Sequence, residues 1–313
     1  MTREEWLRRR SYRGAEFDAE RIAATLAAHG QSVSVCLPTL NVAATLGPIL
    51  AALRERYVRD VPLIDELAIV DSRSSDATAD IARELGARVI QDDEVLPELG
   101  PGRGKGEAMW KSVHALRGDI VVWIDSDIVD FDPAFLPGLV GPLAADPGIA
   151  YVKAFYRRSL GATDDDGGRV TEICARPLLN LFYPQLAGFV QPLSGEAAGR
   201  REVLRRVPFF GGYAVEIGLL IDLLAEVGLE GLAQVDLGHR AHVNQPTREL
   251  GAMAAGIASA VLRRLHQEGR APETLAAPGE YAMPARREGA LVLETRAVAP
   301  EERPALERVA PPA

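Results

Sequence analysis

The strongest constraint on the fold of this chain is a set of short, almost wholly apolar runs. They are SVSVCLP (32–38), ELAIVD (66–71), ARVI (87–90) and DIVVWIDSD (119–127), and three of the four close on Pro or Asp. Runs this short and this rich in Val and Ile read as strands buried on both faces, because a half-exposed strand would alternate polar and apolar residues. Between them, residues 44–56, 76–85 and 104–116 carry apolar side chains at helical spacing, and Gly86 and Gly118 follow the last two as stop signals. Alternation of this kind predicts an α/β fold, a mostly parallel sheet covered by helices on both sides. In such sheets ligands bind beyond the carboxyl ends of the strands. Chemistry is therefore sought first at Pro38 to Asn41, at Asp71 and Ser72, and at Asp125, Ser126 and Asp127.

The second half is less regular. Residues 150–156 and 232–237 read as strands, and 171–182, 215–227 and 247–266 as helices, with a polar loop GATDDDGGR at 161–169. Residues 1–30 form a charged, helical leader. Beyond residue 268, prolines and interspersed charges predict an extended, partly disordered tail over 269–313. The chain thus divides at about 31–150 and 151–268 between leader and tail.

The net charge of −9 argues against a non-specific nucleic-acid binder, which needs surplus Lys and Arg to neutralise phosphates. Two cysteines in apolar surroundings, Cys36 and Cys174, imply neither a disulfide framework nor a zinc site and fit a reducing cytoplasm. The charged N-terminus has no signal-peptide character. The longest weakly polar run, 251–262, is shorter than the roughly 20 residues that span a bilayer, so no membrane partner is expected.

Five constellations could carry chemistry. Asp125 and Asp127, one residue apart at a strand end, can share work on a hard cation completed by phosphate oxygens; the competing explanation is an ordinary strand-to-turn step. Ser72 can meet a ribose or serve only local turn chemistry, whereas Asp76 reads as a helix cap. The loop GPGRGKG (100–106) brings four glycines around Lys105 to a helix start, suited to an anion or merely flexible; it lacks the spacing of a P-loop. Arg169 and Thr171, after Gly168, suit a carboxylate or phosphate or belong to a surface loop. His242 becomes a metal ligand if the fold brings it near Asp127, with His239 as competitor, and Glu216 on an apolar helix is a grip on sugar hydroxyls or a solvated position.

Taken together, VSVCLPTLN, IVDSRSSDATADIA, GRGKGEAMW, GDIVVWIDSDI, VKAFYRR, GGRVTEICARPLL, QPLSGE, GYAVEIGLLID, AQVDLG and HVN resemble the retaining glucosyl- and mannosyl-3-phosphoglycerate synthases. These have the Rossmann-like nucleotide-diphospho-sugar transferase (A-type glycosyltransferase) fold. The resemblance runs from about residue 31 to 265. It implies a nucleotide-sugar-binding half at 31–150, an acceptor-binding half at 151–268, and transfer of hexose from a nucleotide sugar to the 2-hydroxyl of 3-phosphoglycerate.

It also implies roles. Pro38, Asn41, Ser72, Lys105, Asp125, Ser126 and Glu216 would bind the donor, and Gly168, Arg169, Thr171 and Asn244 the acceptor. Asp127 and His242 would ligate Mg²⁺, with Mn²⁺ or Co²⁺ as substitutes. Asp125, Asp127, Glu216 and Leu193, the last through its backbone, would surround the reacting hexose. The family often has an acidic residue where Val42 stands, so UDP and GDP both remain open as the carrier. The expected enzyme is a cytoplasmic homodimer using UDP-glucose or GDP-glucose. The alternatives are a GDP-mannose-dependent mannosyltransferase and a nucleotide-binding protein without turnover.

Overall fold

The computed structural model describes residues 1–157, 159–160, 163–164, 168–240, 247–272, 279–287, 290–299 and 301–309. The apolar runs are strands as expected. The first six strands are β1 (Ser11–Arg13), β2 (Val33–Thr39), β3 (Glu66–Asp71), β4 (Arg88–Gln91), β5 (Ile120–Trp123) and β6 (Tyr151–Arg157). Then come the short pair β7 (Ser159–Leu160) and β8 (Thr163–Asp164), followed by β9 (Ala197–Arg200), β10 (Phe209–Phe210) and β11 (Leu232–His239). The last are β12 (Glu280–Arg287), β13 (Ala290–Ala297) and β14 (Glu302–Arg303). Eight of these make one sheet in the order β1-β11-β6-β9-β5-β2-β3-β4, parallel except for β9.

Side chains of the central strands alternate between two cores, as the period of two along a strand requires. Cys36, Ala68, Val70, Val121 and Trp123 enter one core. Val35, Leu37, Leu67, Ile69, Ile120 and Val122 enter the other. Helices α1 (Arg3–Arg9), α2 (Ala19–Ala28), α3 (Ala43–Arg54), α4 (Thr78–Glu84), α5 (Lys105–Ala115) and α6 (Phe135–Ala145) accompany the first half. Among them α2, α3 and α6 cover one face through Leu26, Leu53 and Leu139. The second half adds α7 (Arg176–Phe182), α8 (Arg201–Leu204), α9 (Val215–Val227) and α10 (Thr247–Gln267). Here α5, α9 and α10 cover the opposite face through Trp110, Leu220 and Val261.

Three elements depart from the expectation. The leader is not all helix: β1 pairs in parallel with β11, and the buried Trp6 donates through Nε1 to Leu232 O at 2.7 Å. Strand β9 has the sequence AAGR, which carries no strand signature because Gly and Ala pack tightly rather than advertise burial. The tail is folded in its described part. Strands β12 and β13 form an antiparallel hairpin, β14 pairs with β10, and Leu306 is fully buried. Proline density misled there: Pro284 sits inside a two-stranded ribbon, where every strand is an edge and a missing N–H is tolerated. One continuous sheet draws strands from the leader and from both expected halves.

Candidate active site

The parallel strands β2, β3 and β5 end together, with Pro38 opposite Val70 and Thr39 opposite Asp71. Ser126 ties the ends by donating to Pro38 O at 2.6 Å. Strand β9 enters antiparallel between β5 and β6 with Ala197 opposite both Trp123 and Lys153. Residues 194–196 are thereby carried to the same edge. Gly195 abuts Asp125 so closely that a Cβ would overlap its carboxylate.

Around Asp125 the charges interlock. Lys105 Nζ donates to Asp125 Oδ1 at 2.5 Å and lies 3.1 Å from Glu216 Oε1. Arg240, next after β11, donates to Asp125 Oδ2 at 3.2 Å, to Glu196 Oε1 at 2.6 Å and to Asp127 Oδ1 at 3.3 Å. The Tyr156 hydroxyl donates to Glu196 Oε2 at 2.9 Å. Burial alone would push the Asp125 carboxyl up, but Lys105 and Arg240 overcome it and hold the group well below the usual carboxylate range. Glu196 goes the other way, raised by burial and by the neighbouring Asp125 charge. Lys105 keeps its proton firmly because Asp125 and Glu216 outweigh its burial. Lys153, fully buried behind them, has its ammonium pulled down to about 8 by desolvation.

These groups face a cavity of about 490 Å³. Its walls include Pro38, Ser72, Lys105, Asp125 and Asp127 on one side, and Gly168, Arg169 and Thr171 on another. Arg169 donates to the Thr247 hydroxyl of α10 at 2.6 Å, and Gly168 holds φ +97°, a conformation that favours glycine. The side chain of Asp127 is 72% exposed, an open, hard, anionic oxygen donor suited to a divalent cation with phosphate oxygens, whereas Asp125 is committed to Lys105 and Arg240. Among the described residues no cluster of three His, Cys, Asp or Glu side chains stands ready for a metal.

Comparison with known proteins decides the family. The model of glycosyl transferase family 2 matches residues 34–207. A glucosyl-3-phosphoglycerate synthase of Petrotoga mobilis is 45% identical over 276 residues, covering 87% of this chain and 85% of the relative. The chain belongs to glycosyl transferase family 2. Its fold matches the crystal structure of a mannosyl-3-phosphoglycerate synthase from Rubrobacter xylanophilus with TM-score 0.90 and 43% identity over 99% of both chains. It also matches a glucosyl-3-phosphoglycerate synthase from Mycobacterium tuberculosis, in complex with Mn²⁺, UDP and phosphoglyceric acid, with TM-score 0.81 and 40% identity over 93% of this chain and 95% of that one. The same mycobacterial enzyme has been seen with Mg²⁺ and UDP. The A-type fold and the resemblance carried by the motifs stand, and a divalent metal accompanies the nucleotide in the mycobacterial enzyme.

In this glycosyltransferase Pro38, Ser72, Lys105, Asp125, Ser126, Asp127, Gly168, Arg169, Thr171, Leu193 and Glu216 converge on one cavity, as does Val42. Asn41 does not line it. With φ 54°, Asn41 turns outward, its side-chain oxygen accepting from Ser75 N at 2.8 Å and its N–H donating to the Ser74 hydroxyl, so it braces the loop after β3. Asp76 is not the cap residue expected, since Ala77 holds the N-cap position of α4; its carboxylate instead accepts from Ala43 N and Thr78 N at the starts of two helices. His239 lies beside Asp130 at 4.0 Å. His242 and Asn244 lie outside the described residues. Sequence reasoning missed Gly195, Glu196, Arg240 and Tyr213. The rule that points to strand ends would have found Arg240, since it directly follows β11.

No helix among the described residues is long and apolar enough to cross a membrane.

Proposed function

We propose that this glycosyltransferase moves glucose from UDP-glucose to the 2-hydroxyl of 3-phosphoglycerate with retention of anomeric configuration. The observation that carries the reading is the shared cavity, where the carboxylate-rich strand ends and the Arg169 loop enclose one space of about 490 Å³. That size lies within the range of small-molecule sites, and it offers a donor end and a cationic end. Pro38 and Ser72 line the nucleoside region, with Val42 where an acidic contact would otherwise stand. Lys105 keeps Asp125 ionised and pairs with Glu216, both carboxylates serving the hexose, whose other side meets the backbone at Leu193. Gly168, Arg169 and Thr171 receive the acceptor's phosphate and carboxylate, a task for which guanidinium geometry is suited, with Asn244 as a further contact.

Asp127, with His242, would hold a divalent cation, Mg²⁺ in this reading, which neutralises charge on the departing diphosphate. Glu216 pairs with Lys105, and Asp125 with Lys105 and Arg240, so in this reading neither carboxylate serves as a covalent nucleophile. The acceptor hydroxyl therefore approaches on the face from which the phosphate leaves. Its oxygen bonds to the anomeric carbon as the carbon–phosphate-oxygen bond breaks, and its proton passes to the leaving phosphate oxygen. Holding both substrates in register supplies much of the rate.

The test is a matrix of UDP-glucose, GDP-glucose, GDP-mannose and ADP-glucose against 3-phosphoglycerate and glycerate, with anomeric configuration read by NMR. UDP-glucose with 3-phosphoglycerate is expected to turn over fastest. Absence of turnover with every pair sinks the reading and leaves a nucleotide binder. A second reading, mannosyl transfer from GDP-mannose, is favoured by the full-length likeness to the Rubrobacter enzyme and by Val42. Preference for GDP-mannose in the same matrix would establish it. A cytoplasmic homodimer belongs to this proposal, checked by cell fractionation and sedimentation.

A further inference from the structure

The loop at 100–106 holds four glycines, so fixing it in one shape carries a large backbone-entropy cost. What fixes it comes from far along the chain. Arg303 on β14 donates through Nε and Nη2 to both carboxylate oxygens of Glu107, at 2.7 and 3.0 Å. It also donates to Leu99 O at 2.7 Å and Gly100 O at 2.9 Å, where the loop begins. Glu107 is buried, and Gly102 lies against its carboxylate with no room for a Cβ. The guanidinium sits 5.6 Å from the ring centre of Trp110, whose Nε1 donates to Pro304 O at 2.8 Å.

The far side of the loop is held by the strand that pairs with β14. Gly211 N, just after β10, donates to Glu301 O at 2.8 Å, and Gly212 N donates to Arg103 O at 3.3 Å. Gly106 packs on Phe210 O so tightly that any Cβ would collide. The neighbouring Glu302 accepts from Arg264 of α10 at 2.6 Å. Residues 301–304 thus run as a strap from α10 to the turn that presents Lys105.

We propose that Arg303 is a positioning residue for the donor: through Glu107 and the two loop carbonyls it sets the glycine loop in the shape that aims Lys105 at Asp125 and Glu216. Lysine cannot replace it, because one ammonium cannot fork onto a carboxylate while reaching two carbonyls. The proposal rests on the reading that this loop serves the nucleotide-sugar end of the cavity.

The test uses the full chain and the variants Arg303→Lys and Arg303→Ala. Arg303→Lys is the deciding variant, since it retains the charge and the β10–β14 pairing even where Arg303→Ala fails to fold. With UDP-glucose and 3-phosphoglycerate, the donor KM of Arg303→Lys is expected to rise about tenfold while kcat and the acceptor KM stay within about twofold, the pattern of lost donor binding. A donor KM within about twofold of the parent, or donor and acceptor KM rising together, overturns the proposal. Amide exchange at residues 102–106 is followed on the same proteins. Faster exchange there with the central strands unchanged supports the strap, and unchanged exchange refutes it. If the parent enzyme turns over no donor, the proposed function fails on its own account and the exchange result alone decides the role of Arg303.

Discussion

Replacing Lys105 by methionine is the sharpest test of how the site is held together. The ammonium stands 2.5 Å from Asp125 and 3.1 Å from Glu216, whose side chains are only 21% and 7% exposed. At an effective dielectric of about 20, a pair of charges about 3 Å apart attracts by roughly 5 kcal/mol, most of it spent on desolvation. Removing one partner leaves carboxylates buried without their cation, and the expected cost is about 3–5 kcal/mol, tempered because Arg240 still faces Asp125. The pH dependence follows from the sign. The folded-state pKa of Asp125 is depressed, so its contribution is present above the unfolded value of about 3.9 and is lost as pH falls through the lower folded value. Lys105→Met weakens that depression. Its destabilisation is therefore largest near neutral pH and shrinks on acidification, as protonation relieves the stranded charge. Urea denaturation at pH 7.5 and at about pH 3, followed through the buried Trp6, Trp110 and Trp123, measures it. A loss below about 1 kcal/mol at pH 7.5, or one that grows toward about pH 3, would refute the reasoning.

Other expectations concern single groups. Gly195→Ala drives a methyl into the Asp125 carboxylate, so kcat/KM should fall by about a hundredfold or more with the fold retained; a variant within tenfold of the parent would show that Asp125 has room to move. Arg169→Ala should raise the phosphoglycerate KM by roughly tenfold or more and leave the donor KM alone, and steady-state kinetics with each substrate varied would expose a misplacement if only the donor KM changed. Cys36 is fully buried and burial pushes its thiol up to about 12, so alkylation at pH 8 should reach it only on global unfolding, after the half-buried Cys174; mass spectrometry showing equal rates in native buffer would contradict this.

What the amino-acid sequence revealed and what it concealed divide along physical lines. Val35, Ile69 and Val122 announce strands because both faces of a parallel sheet are buried, and the residues following such strands announce the site because strand ends converge. Strand β9 was hidden because Ala197 and Gly199 are chosen for close approach, and Tyr151 lies just 3.1 Å from where a Cβ on Gly199 would be. Gly195 and Glu196 were hidden with it, since only the antiparallel insertion carries them to Asp125. The strap was hidden because Arg303 and Glu107 meet across 196 positions of chain and neither carries a local pattern. Asn41 shows the opposite error: a strand-end position promised chemistry, and the side chain is spent on bracing a neighbouring loop.

The three residues of β1 have a consequence out of proportion to their number. They shield the outer margin of β11, where Ser11, Tyr12 and Arg13 lie beside Gln234, Val235 and Asp236. Clipping the polypeptide after Arg13 would uncover a row of amide and carbonyl groups on a strand rich in Leu, Val and Ala, a ready template for another molecule. Such a trimmed preparation should reveal itself first as self-association in light scattering, before any loss of turnover is felt.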